Sequence, residues 1–126
     1  MRALNIVETA YRATLEEQDD TILWITQAMI AAGADLAVLL RSNAVNYAVQ
    51  GQDASGISFG SLAQTQPPRI AEDVAKLINR GASVFVVEED LAERGIGASE
   101  LVPGLKPIQR AGIAALLEDY DAVWHW

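Results

Sequence analysis

The sequence predicts an α/β protein: a single three-layer domain in which a mainly parallel sheet of about five strands carries helices on both faces. Three observations lead there. Short apolar runs rich in β-branched residues recur at positions 3–7, 35–40 and 83–87, the pattern of strands covered on both sides. Stretches between them repeat apolar residues at helical spacing. Strand and helix then alternate to the end of the chain, which implies parallel strands joined by crossovers. A length of 126 residues fits one domain over 1–126 and leaves no room for a second.

The elements follow in order. Residues 3–7 (ALNIV), bounded by Glu8 and Thr9, form the first strand. Residues 20–32 place Ile22, Ile25, Met29 and Ile30 on one helical face, and Gly33 stands where a glycine ends a helix. The uninterrupted LAVLL within 35–40 is the second strand. Asn43, a good N-cap, predicts a short helix over 44–49. Residues 52–66 are rich in Gly, Ser and Gln, show no period, and read as a loop. Pro67 and Pro68 are expected to open the next helix, with Ile70, Val74, Leu77 and Ile78 on its apolar face and Gly81 at its end. SVFVV at 83–87 is the third strand. Asp90 followed by Glu93 has the capping-box pattern, which predicts a short helix toward Arg94. Residues 106–108 add an edge strand, 112–120 a final helix and 122–126 a closing strand.

Composition narrows the chemistry. The chain is 51% hydrophobic and 21% charged, a globular balance, with a mean hydropathy of +0.14. It has no cysteine, which excludes disulfides, iron–sulfur centres, thiolate zinc sites and a thiol nucleophile. A single histidine, His125, excludes multi-histidine metal sites. A formal charge of −8 argues against nucleic acid, whose phosphates need basic density. G-x-S-x-G, the Walker pattern and G-x-G-x-x-G are all absent. No catalytic residue set, cofactor or metal is therefore expected. MRALNIVETA at the N-terminus lacks the apolar core of a secretory signal, and Gln27, Gly33 and Asp35 interrupt the most apolar region, so no membrane span is expected either. The expected compartment is the cytoplasm.

In open α/β sheets, ligands bind beyond the carboxyl ends of the strands. The candidate groups there are Thr9, Tyr11 and Arg12 after the first strand, Arg41 and Asn43 after the second, and Glu88 and Glu89 after the third. If those strands are neighbours, these residues share one rim. Each also has a plainer reading. Arg12 can fork onto an anion or simply stay solvated. Arg41 can meet a ligand or pair with a nearby acid, and Asn43 can cap a helix. The triplet from Glu88 to Asp90 could bind Mg²⁺ or move protons, yet successive residues of an extended chain point apart, and Asp90 reads as the cap. His125 lies between Trp124 and Trp126. On a strand the two tryptophans share one face and His125 takes the other, which fits a core or interface histidine. Trp24, Tyr47, Trp124 and Trp126, with the alanine-rich stretch 28–34, point to self-association.

The chain resembles the DsrE/DsrF-like family of small α/β proteins, which includes sulfur-relay subunits. The resemblance is carried by the polar turn at 9–12, by AAGADLAVLLRSNAVNYAV (31–49), by SVFVVEEDLAERGI (83–96) with its Arg94-Gly95 pair, and by LVPGLKP (101–107) followed by GIAALLEDYDAVWHW (112–126). It implies the fold, a rim pocket, and assembly with itself as a homotrimer or homohexamer. It also implies sulfur-transfer proteins as partners. Sulfur-carrying members place a cysteine just after the third strand, about eight residues before the glycine of the Arg-Gly pair. Counted back from Gly95, that position is Val87, beside Glu88. Neither side chain can form a persulfide, so the carrier role passes to no residue here. The resemblance thus implies a cysteine-free, non-catalytic scaffold or binding subunit in intracellular sulfur metabolism. Two readings stand beside it: an oligomeric module binding a small anionic or nucleotide-like ligand at the rim, and an enzyme using Glu88 or Glu89.

Overall fold

β1 (Arg2–Val7) is buried at every position but Arg2, so it is covered on both faces, as its apolar run requires. A computed structural model of the chain describes residues 1–11 and 20–126. After β1 come α1 (Thr21–Ala31), β2 (Asp35–Leu40) and a 3₁₀ helix (Ser42–Ala48). A small antiparallel hairpin of β3 (Ser58–Phe59) and β4 (Leu62–Ala63) precedes α2 (Ile70–Asn79). Then follow β5 (Val84–Val87), α3 (Glu88–Glu93), β6 (Lys106–Ile108), α4 (Ile113–Glu118) and β7 (Ala122–His125).

The main sheet runs β6-β5-β2-β1-β7, and every pair in it is parallel. The chain lays its strands outward from β1 to β6 and then returns to place β7 on the opposite side of β1. The order therefore reverses between β1 and β7, the kind of switch point beside which α/β sheets hold ligands.

Two apolar clusters sandwich the sheet. Val7, Val38, Leu40, Val84 and Val86 pack under α1, α2 and the 3₁₀ helix, where Leu23, Tyr47, Val74 and Leu77 are fully buried. Leu4, Ile6, Ala37, Leu39 and Val87 meet Leu116 of α4 on the other face. Each such buried Leu or Val contributes about 1.5–3 kcal/mol over leaving it exposed. Asn5 is the polar exception in β1: its Nδ2 donates to Thr26 Oγ1 at 2.7 Å, and the Thr26 hydroxyl donates in turn to the Ile22 carbonyl.

Several local expectations are corrected. The segment 52–66 is not all loop, because β3 and β4 lie within it. Pro67 and Pro68 precede α2 rather than opening it; Asp53 caps that helix from a distance, its carboxylate accepting from the Ala71 and Glu72 amides. Asn43 is not a cap but lies inside the first turn of the 3₁₀ helix, which Arg41 precedes. Asp90 is likewise no cap. α3 starts at Glu88 directly from the end of β5, so the acidic triplet is helical and the extended-chain geometry does not apply to it. Tyr47 is a core residue and cannot serve as an interface ring. The last helix is split into a 3₁₀ turn (Arg110–Gly112) and α4. In α1 the inward face is Ile22, Leu23 and Thr26, whereas Ile25 is exposed.

Candidate functional site

β1, β2 and β5 are neighbours, so the segments leaving their carboxyl ends do meet on one rim. The rim carries three polar clusters.

The first sits beside the β1–β7 switch point. Glu8 follows β1, and its carboxylate bridges two side chains: Oε1 lies 2.9 Å from Arg41 Nε, and Oε2 lies 3.1 Å from His125 Nε2. Arg41 is thus an ion-pair partner, the plainer of its two readings. In the register of β7, Trp124 stands opposite Asn5 and His125 opposite Ile6, so His125 and Trp124 occupy opposite faces, as strand alternation requires.

The second cluster centres on Asp90 in the first turn of α3. Its Oδ2 accepts the Ser42 amide at 2.7 Å, and its Oδ1 accepts Arg110 Nη2 at 2.6 Å. Arg94 donates to the Asp90 carbonyl and, through Nη2, to Asn43 Oδ1 at 2.8 Å. Glu89 Oε2 accepts the Arg110 amide, and Glu93 pairs with the Arg110 guanidinium. Burial opposes the Asp90 charge, but the Ser42 amide and the guanidiniums of Arg110 and Arg94 outweigh it and hold the carboxyl below its ordinary range. Ser42 has φ +51°, a left-handed conformation that a non-glycine residue adopts at some cost, and the bond to Asp90 holds it there.

The third cluster anchors the turn after β1. The Tyr47 hydroxyl donates to Asp20 Oδ2 at 2.6 Å and accepts the Tyr11 amide, while Asp20 Oδ1 caps α1 through the Ile22 and Leu23 amides. The Tyr11 hydroxyl donates to Gln52 Oε1, and its ring meets that of Tyr47 edge-on at 5.2 Å. Burial, then the hydrogen bond and charge of Asp20, push the Tyr47 phenol well above its ordinary range. Burial and the charge of Asp53 raise Tyr11.

Of the sequence candidates, Thr9 and Glu88 are exposed on the rim, while Tyr11, Arg41, Asn43 and Glu89 are engaged as above. Arg12 lies outside the described residues. Val87, the position reached by counting eight residues back from Gly95, is buried against the α4 face. Sequence reasoning missed Glu8–His125 as a pair, and Arg110 altogether. Strand adjacency alone brings these together, and no sequence spacing reports it. Among the described residues, no group of three or more His, Asp or Glu side chains is arranged to hold a metal ion. None of the described helices is long and apolar enough to cross a membrane. What the rim can do chemically is limited: its described guanidiniums already meet carboxylate or amide oxygens.

Comparison with known proteins accords with this architecture. The chain is similar in structure to the YchN protein from E. coli, at 18% identity and a TM-score of 0.73, covering 99% of this chain and 98% of that one. It is also similar to MTH1491 from Methanobacterium thermoautotrophicum, a protein of unknown function, at 12% identity and a TM-score of 0.67, covering 98% and 97%. At those identities the likeness speaks for the fold alone. No curated protein matches. The sequence profile of the DsrE/DsrF-like family, however, matches residues 6–125, and the chain belongs to the DsrE/DsrF-like family.

Proposed function

We propose that this chain is a non-carrier subunit of an intracellular sulfur relay, a scaffold or binding partner that works with sulfur-transfer proteins and assembles with itself as a homotrimer or homohexamer. The observation that carries this reading is the end of β5. There a sulfur carrier of this family would present a thiol, and this chain has buried Val87, no cysteine anywhere, and a closed ion network on Asp90. Thiolate chemistry needs a cysteine, so the fold is kept without its reactive group. The anion-binding alternative is less well supported. Glu8 holds Arg41, Asp90 and Glu93 hold Arg110, and Asn43 and the Asp90 carbonyl hold Arg94.

The test is gel filtration of the purified chain with a cysteine-bearing DsrE/DsrF-like subunit from the same organism. Co-elution as a stoichiometric complex is the expected result. Separate elution at micromolar concentrations of both would overturn the reading.

A further inference from the structure

We infer that the face formed by α1 and the free edge of β7 is the surface through which two copies of this chain join, β7 pairing antiparallel with β7 about a two-fold axis normal to the sheet. The inference rests on the self-assembly part of the reading above and specifies its contact.

The two edges of the sheet are built differently. β6 ends one side with Lys106 and Pro107, a charge and a residue with no amide hydrogen, both of which discourage a further strand. β7 ends the other side with Val123, Trp124 and His125 and carries neither device. Trp126 directs both its backbone groups to β1, its amide to the Ile6 carbonyl and its carbonyl to the Glu8 amide. By the period of two, Val123 and His125 turn theirs outward, away from β1.

Beside this edge lies a groove of about 480 Å³ between Ile25 and Met29 of α1 and Val123, Trp124 and Trp126; its polar members are Asn5 and His125. Trp24 extends the apolar surface along α1, with 60% of its surface exposed, while Val123 keeps 41% and Trp126 43%. No charged residue occurs between Thr21 and Ala34, and no Asp or Glu side chain lines the groove. A chain of net charge −8 repels its own copies, so a self-contact belongs where acidic side chains are missing.

A small apolar molecule could fill the groove, but it would leave the outward amides of β7 and the ring of Trp24 uncovered. A second β7 satisfies the edge, and the same two-fold operation sets α1 beside α1 of the second copy, covering Trp24 and the groove together. Such a contact is isologous, so it requires an even number of subunits. Of the two assemblies proposed above, it selects the homohexamer.

Light scattering of the full chain at micromolar concentration reads the outcome. The expected mass is an even multiple of 13.6 kDa that halves in Trp24→Glu and in Val123→Pro, where proline removes an outward amide without touching the ladder to β1. Phe59→Glu, on the exposed hairpin, is the control and leaves the mass unchanged, with circular dichroism confirming that each variant is folded. An odd-numbered assembly, a monomeric wild type, or folded Trp24→Glu and Val123→Pro variants of undiminished mass would each overturn the contact. Loss of the contact with an intact complex to the cysteine-bearing subunit would leave the relay reading standing, so the two can fail separately.

Discussion

Arg110 Nη2 stands 2.6 Å from Asp90 Oδ1, tying the segment after β6 to the first turn of α3. The other oxygen of Asp90 holds the Ser42 amide, so one carboxylate joins the exits of β2, β5 and β6. A catalytic carboxylate needs a free face toward substrate, and both oxygens of this one are occupied.

Replacing Asp90 by alanine leaves the Ser42 amide without its acceptor, and an orphaned donor costs about 1–3 kcal/mol. Urea denaturation at neutral pH is expected to show that loss. The pH dependence follows from the depressed Asp90 carboxyl. The unfolded chain takes up its proton near pH 3.9, before the folded one does. The stabilisation is therefore present above that pH and fades as pH falls through the lower folded value. Asp90→Asn is expected to flatten this acid limb, and a limb as steep as the wild type's would contradict the assignment.

The Tyr47 hydroxyl is the hub that fixes the turn after β1 to the core. Tyr47→Phe removes the donor to Asp20 and the acceptor of the Tyr11 amide, an expected loss of about 1–2 kcal/mol. Asp20→Ala is expected to cost more, because it also deletes the cap of α1, itself about 1 kcal/mol. The double variant tests the coupling: its loss is expected to fall short of the sum of the two. Strict additivity would show that the hydroxyl and the carboxylate act independently.

The rim geometry predicts where a thiol could work if one were installed. Val87→Cys puts sulfur into the cluster under α4, whereas Glu88→Cys puts it in solvent at the start of α3. A chromogenic disulfide reagent is expected to titrate the second at once and the first only on unfolding. Rapid reaction of Val87→Cys in the folded protein would show that the end of β5 is open.

The fold was legible because its strands are buried on both faces and so print as uninterrupted apolar runs, LAVLL and FVV above all. Gly33 and Gly81, at φ +96° and +88°, mark two helix ends where a side chain would be strained. Capping was less legible. Asp90 and Asn43 have the right chemistry for N-caps, but α3 begins directly at the end of β5, and the 3₁₀ helix starts one residue before Asn43. Asp53 caps α2 across 18 residues of chain, which no local pattern announces. The site was legible only as a set of strand ends. Its pairs, Glu8 with His125 and Asp90 with Arg110, depend on sheet order, and that order is set by packing rather than by any spacing along the chain.

The central claim is that this chain binds within a sulfur relay without carrying sulfur itself. Native mass spectrometry of the chain mixed with a persulfide-loaded, cysteine-bearing DsrE/DsrF-like subunit tests it most directly, because one spectrum weighs the complex and, after dissociation, each chain. The account predicts a complex in which the added sulfur remains wholly on the cysteine-bearing subunit and this chain keeps its unmodified mass. A sulfur adduct on this chain, or the absence of any complex, would contradict it.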